Sequence, residues 1–398
     1  MGGFMCSSLP LSGQGLRLRP LWAGTRRIPG RLGVNHIGNQ KSNIDNIRLR
    51  RVDLSDGATP YDPRGMKMTS MKFGAWIPSY AYPALDYERA RQGTDTFAKT
   101  ANLHGIDLWV IDHLLHAPGL YGMPWLEPMT VLTHAAAVAP DVDMVGTGIL
   151  VLPLRDPVLL AKEVATMDYL TAGRYQFGIG PGWYGPEFDA TGTHISERGR
   201  RTDEIVEAVQ LLLTTPNASY EGKYYSFTDV SIDPRPPKMP NIWVAGGSRI
   251  PDGEYDNDVA VLASTVLNRI LNADWWLSRC SGQQEWVHRD WQLIQEAAAE
   301  RGTACPRFAH CNFMHLVDTN DPSKAREEQH VYFAQAMGTH RSAEHLETSY
   351  IFGSIDEVVE RLRDLAAGGC EYVVLGPTSD DPTQLDLLSR LVIPQVNS

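Results

Sequence analysis

Three runs in the chain carry residues whose types and spacing could do chemistry. Residues 111–116 read IDHLLH and bring Asp112, His113 and His116 together directly after a short apolar stretch. Residues 174–183 read RYQFGIGPGW, a strand-like start that ends in Gly178, Gly180, Gly182 and Trp183. Residues 245–248 read AGGS, where Gly246, Gly247 and Ser248 would offer successive backbone N–H groups and a hydroxyl, a cradle suited to phosphate. Glycine has no Cβ and tolerates positive φ, so a glycine-rich strand end either turns tightly or lets something flat approach the backbone. Bare backbone with a single ionisable pair suits a phosphorylated aromatic cofactor, which supplies redox chemistry while the protein positions it.

Other chemistries fit less well. A glycosidase needs two carboxylates flanking the sugar bond, and the strand ends are short of them. A metal-dependent hydrolase needs a ligand cluster, but His113 and His116 have no obvious third partner, so no metal site is expected. His116, on a loop, reads as an entrance residue. Trp275, Trp276, Trp286 and Trp291 read as core or subunit contacts.

The elements that must position these residues alternate. MKFGAWIP, from Met71, is strand-like, and the run from Asp86 to Gly105 is helical. IDLWVI, VDMVGTGILVLP, RYQFGIG, NIWVAGGS, ADWWLS, RFAHCNFMHLVD and EYVVL follow as strands, separated by helical stretches. Asp156 with Pro157 predicts a helix start, and Gly173 its stop. Ser354 and Glu357 stand in capping-box spacing. YEGKYYSFTDVSI alternates like an inserted hairpin, and 249–258 is polar and hard to place. Eight strands alternating with helices predict an α/β chain folded as a (β/α)8 TIM barrel with insertions, whose chemistry belongs at the carboxyl ends of the strands. An open doubly wound sheet lacks its phosphate loop, since GAWIPSY is not G-x-G-x-x-G.

The start of the chain differs. Through Ser70 there are 11 basic and 4 acidic residues, so with a net charge of −11 the remainder carries −18. Residues 1–70 read as a disordered basic extension, or as sequence upstream of the true start, and 71–398 as the barrel domain. A negative body without a basic aromatic stripe argues against nucleic acid. No apolar run is long enough to predict a membrane span. Five cysteines without a C-x-x-C pair suggest free thiols in a reducing, cytoplasmic setting.

From about Met71 onward the chain resembles the bacterial luciferase-like superfamily. IDH, GTGILVLP, LTAGRYQFGIGPGWYGPEFDATG, ERGRRTDE, DPRPPKMPNIWVAGGS and GSIDEVVERLRDLAAGGCEYVVLGP carry the likeness through their order and spacing. The resemblance implies a (β/α)8 oxidoreductase that uses reduced FMN or coenzyme F420. It places Asp112 and His113 beside the reactive ring, with His113 as proton donor or acceptor held by Asp112. Gly148 and Ile149 match a position where many relatives carry a cis peptide against the ring. Gly178, Gly180, Gly182 and Trp183 match a wall of the site, and Gly246, Gly247 and Ser248 its phosphate side. Arg198, Arg200 or Arg201 would supply the phosphate's counter-charge, and Arg200 sits best in the motif. Two departures stand out: Pro181, and RIPDGEYDND after strand five. The first expectation is a monooxygenase in which reduced FMN, supplied by a separate reductase, reacts with O2 to oxygenate a small organic substrate. The alternative is an F420-linked enzyme that exchanges a hydride with its substrate. A flavin-binding barrel without turnover is the reading from another class. Homodimerisation is implied by the resemblance alone.

Overall fold

The computed structural model describes residues 70–79, 86–117, 121, 124–248 and 261–398. The basic extension, apart from Ser70, and the polar run after strand five lie outside the described residues.

Short apolar runs bounded by glycine, proline or a cap form the strands. They are β1 (Lys72–Trp76), β2 (Asp107–Val110), β3 (Val145–Thr147), β4 (Leu150–Val151) and β5 (Tyr175–Gly180), then the antiparallel hairpin β6 (Ala218–Glu221) and β7 (Ser226–Val230). β8 (Asn241–Ala245), β9 (Trp275–Leu277), β10 (Arg307–Met314) and β11 (Tyr372–Pro377) follow. All except the hairpin pair in parallel, in the order β3-β2-β1-β11-β10-β9-β8-β5-β4, and a β3–β5 pairing closes the ring. β3 and β4 are halves of one stave, interrupted at Gly148–Ile149, so the barrel has eight staves as the alternation predicts.

The helices are α1 (Tyr87–His104), α2 (Pro128–Val138), α3 (Pro157–Leu170), α4 (Gly185–Ala190) and α5 (Arg198–Thr214). α6 (Ser264–Leu271), α7 (Gln284–Arg301), α8 (Pro322–Met337), α9 (Ala343–Ser349) and α10 (Ile355–Ala367) complete the main set. Their ends follow local chemistry. Asp156 accepts from the amides of Val158 and Leu159 at the start of α3. Gly105 closes α1 in the left-handed region at φ 63°. Ser354 and Glu357 form the capping box of α10.

Alternation along each strand separates two apolar layers. One face packs Phe73, Ala75, Phe177, Ile179, Phe308 and Leu375 toward the helices. The other fills the barrel with Trp76, Trp109, Trp243, Trp275, Phe313 and Tyr372. Trp243 stacks on Trp275 at 4.2 Å and meets Trp109 edge-on at 4.7 Å. A Cβ at Gly74 or Gly146 would come within 2.5 Å of the Trp109 indole, so both positions must stay bare. At the amino end, Tyr372 donates to buried Asp107 at 2.7 Å, and Trp109 Nε1 donates to the Tyr372 hydroxyl at 2.9 Å. This aromatic stack closes the bottom and leaves the carboxyl end for chemistry.

Candidate active site at the barrel mouth

Asp112 and His113 directly follow β2 and are both buried. Asp112 does not hold His113. Its Oδ2 accepts from the Val151 amide at 2.8 Å and from Arg155 Nη1 at 2.6 Å, which ties the end of β2 to the end of β4. Burial pushes the Asp112 carboxyl up, and the Arg155 charge opposes that shift. The partner of His113 is Glu187 in α4, whose Oε1 lies 3.2 Å from His113 Nδ1 and also accepts from the Leu115 amide at 3.2 Å. Glu187 is 1% exposed. His113 Nε2 makes no hydrogen bond among the described residues and is the nitrogen left for another molecule. The ring lies 5.0 Å from Tyr121 and edge-on to half-exposed Trp183 at 5.8 Å. His116 lies on the adjoining loop, its Nε2 3.3 Å from the Tyr121 carbonyl oxygen.

The bare backbone at the end of β5 has a specific neighbour. A Cβ at Gly178 would fall 1.7 Å from the Thr147 carbonyl oxygen, one at Gly180 2.7 Å from the Ile149 side chain, and one at Gly182 2.5 Å from Val151. Each glycine therefore admits one residue of the interrupted stave, and Gly182 also takes φ 71°. They are not an open wall, as the sequence suggested: they seat the Thr147–Val151 segment. Within that segment the Gly148–Ile149 peptide is cis, at the position the resemblance implied.

The phosphate-side loop also differs from expectation. The Gly246 amide donates to the Leu277 carbonyl at 3.2 Å. Ser248 directs its amide to Asp290 Oδ2 at 2.6 Å and its hydroxyl to Asp290 Oδ1. Two of the three amides and the hydroxyl are thus already used, and the Ser248 donors face a buried carboxylate that would repel phosphate while ionised. Burial pushes the Asp290 carboxyl up. A Cβ at Gly247 would sit 2.8 Å from the same carboxylate. Arg200 is exposed on α5 and makes no hydrogen bond or ion pair with the described residues, whereas Arg201 pairs with Glu197 at 3.0 Å.

Across the mouth stand residues that motif reading did not select. Half-buried Cys280 follows β9 and packs against the barrel interior with Tyr121, Trp125 and Ile149. A hydrogen bond from Cys311 lowers its thiol to about 7, and Arg279 and His113 act the same way against burial. Burial raises the Tyr350 phenol to about 12 and that of Tyr121 further. Tyr121, Trp125, Cys280, Cys311 and Tyr350 come from four separate segments, so no local pattern marks them. Glu187 sits inside a quoted motif, but nothing in its spacing links it to His113. Trp275 and Trp276 are core residues as expected; Trp276 stacks on Phe308 at 4.8 Å.

The arrangement offers a buried His113–Glu187 pair on the stave beside the Gly148–Ile149 segment and next to a half-exposed indole. Comparison with known proteins gives the fold its relatives. Residues 71–252 match the family model of luciferase-like monooxygenases. An FMNH2-dependent dimethylsulfone monooxygenase of Pseudomonas fluorescens (strain Pf0-1) is 30% identical over 194 residues, which cover 46% of this chain and 52% of the relative. The chain thus spans about half the length of the curated relatives it matches. Among solved structures, the FMN-bound oxygenating constituent of 3,6-diketocamphane monooxygenase from Pseudomonas putida aligns with a TM-score of 0.64 at 20% identity, over 82% of this chain and 99% of the other. An F420-dependent secondary alcohol dehydrogenase bound to an F420–acetone adduct aligns at 0.66 and 17%, over 83% and 100%. At these identities the structural matches establish the barrel, and residues 71–252 of this chain are similar to the luciferase-like monooxygenase family.

Proposed function

We propose that residues 71–398 form a flavin-dependent oxidoreductase, a monooxygenase that uses reduced FMN and O2 on a small organic substrate. The observation that carries this reading is the buried His113–Glu187 pair beside Trp183 and on the stave next to the cis Gly148–Ile149 peptide, in a barrel similar to this family. The ring side of the mouth fits a planar cofactor: Trp183 is half exposed, and His113 keeps Nε2 for a ligand. The phosphate side fits through Arg200 rather than Ser248, whose donors are engaged by Asp290. When bound, reduced FMN supplies the electrons for oxygen activation.

The chain's own residues would do the rest. Glu187 fixes the tautomer of His113 by accepting from Nδ1–H, so Nε2 can take or give a proton at the reacting centre. Asp112 and Arg155 hold the loop that carries His113 against the end of β4. Tyr121 and Trp183 shield the imidazole from water. A separate reductase would deliver the reduced cofactor, and the assembly would be a homodimer.

F420-linked hydride transfer is the second reading. It is supported by the relatives, which include an F420-dependent glucose-6-phosphate dehydrogenase of Amycolatopsis mediterranei, 28% identical over 166 residues. Anaerobic titration of the chain with reduced FMN and, separately, reduced F420 tests the choice. Saturable binding of reduced FMN, weakened in Arg200→Ala, is expected; saturation by F420 alone would favour the second reading.

A further inference from the structure

Two thiols meet where β9 and β10 reach the barrel mouth. The strands are neighbouring parallel staves, with Trp275 opposite Arg307 and Leu277 opposite Ala309. Their pairing runs on past the end of β9. The Ser278 amide donates to the Ala309 carbonyl at 2.8 Å, and the Cys311 thiol donates to the Ser278 carbonyl at 3.0 Å. Cys311 is thus seated against the backbone two residues before Cys280, and its S–H also serves the Cys280 sulfur. Both side chains belong to the apolar layer that fills the barrel. Adjacent strands stand about 4.8 Å apart, within the span that a disulfide bridges.

The two thiols differ in reach and in charge. Cys280 lies past the carboxyl end of β9 and is half-buried, whereas Cys311, inside β10, is buried. The hydrogen bond from Cys311, then the charges of Arg279 and His113, favour the Cys280 thiolate against burial. The thiolate is the nucleophilic form of cysteine. The phenols of Tyr121 and Tyr350 also face Cys280, and burial keeps both protonated. Burial, and then Cys280 itself, keep Cys311 a thiol. Cys305 is exposed, and Cys370 packs in the other apolar layer, under the helices.

We propose that Cys280 and Cys311 form a peroxide-oxidisable dithiol, whose disulfide ties the end of β9 to β10 at the barrel mouth. The Cys280 thiolate attacks one oxygen of hydrogen peroxide. The O–O bond breaks, and the departing hydroxide takes up a proton and leaves as water. Cys280 is then a sulfenic acid. The Cys311 sulfur attacks the Cys280 sulfur, the S–O bond breaks, and a second water leaves with the Cys311 proton. Two thiols thereby give up two electrons and two protons, and one peroxide becomes two waters. No cofactor takes part, so the reaction stands or falls separately from the flavin reading.

The test uses the full chain, first reduced and then freed of reductant. It is treated with hydrogen peroxide at neutral pH, the remaining thiols are alkylated, and the peptides are mapped by mass. The expected product is a Cys280–Cys311 cross-link that a reducing agent reverses. Cys280 should be oxidised about fivefold faster than exposed Cys305, because exposure alone does not make a thiolate. Cys311→Ser should stop at a sulfenic acid on Cys280, trapped by dimedone, and Cys280→Ser should leave Cys311 reduced. The serine hydroxyl can still donate to the Ser278 carbonyl, so Cys311→Ser is expected to fold. If it does not, the cross-link in the wild-type chain and its absence in Cys280→Ser decide. Oxidation of Cys305 ahead of Cys280 would overturn the proposal. So would a sulfenic acid that persists on Cys280 in the wild-type chain while Cys311 stays reduced.

Discussion

His113 was visible because it follows Asp112 at a strand end, but its true partner lies 74 residues further along the chain. Sequence adjacency suggested an Asp–His pair. The barrel instead turns Asp112 toward Arg155 and brings Glu187 in from a short helix with no strong pattern of its own. Glu187→Gln should lower turnover roughly tenfold or more and shift its pH profile, while FMN still binds; steady-state rates across pH check this. Asp112 serves structure. Arg155→Met would leave a buried carboxylate without its counter-charge and should cost about 3 kcal/mol at neutral pH. Below the raised carboxyl pKa, Asp112 is neutral and the loss should shrink, so urea unfolding at neutral and acid pH gives the sign.

At the scale of elements, strands, caps and the hairpin were legible because alternation, Asp–Pro starts and glycine stops are local signals. The glycines at the end of β5 were legible as a need for close approach, but what approaches was not. The sequence suggested a cofactor ring, whereas the Thr147–Val151 segment fills the space. α8 carries Phe333, and the residue closing α9, Tyr350, joins it in the mouth-side core; the strand pattern gave no hint of that. Gly178→Ala would drive a methyl into the Thr147 carbonyl, so the interrupted stave must move. It should destabilise the fold by about 3 kcal/mol or more. Gly185→Ala, where nothing lies within 4 Å, should stay within about 0.5 kcal/mol. Thermal melts of the two variants decide.

At the scale of the whole molecule, the barrel has a closed amino end and a chemically equipped carboxyl end. Among the described residues no helix is long and apolar enough to cross a membrane. The closed end has a pH signature. Burial pushes the Asp107 carboxyl up to about 6, above the ordinary value of about 4. Between those values the folded chain keeps a proton that the unfolded chain has released, so this group's stabilising contribution falls as pH rises through the window. Asp107→Asn should flatten that part of the stability–pH curve, measured by melting temperature. The chemistry proposed for the open end rests on His113, and that proposal can be tested without knowing the substrate. Reduced FMN bound to the wild-type chain and to His113→Ala is mixed with O2, and reoxidation is followed by absorbance. The expected result is similar FMN affinity and a reoxidation rate changed by about tenfold or more in the variant. Identical rates at equal saturation would contradict the account and leave a barrel that binds flavin without acting on it.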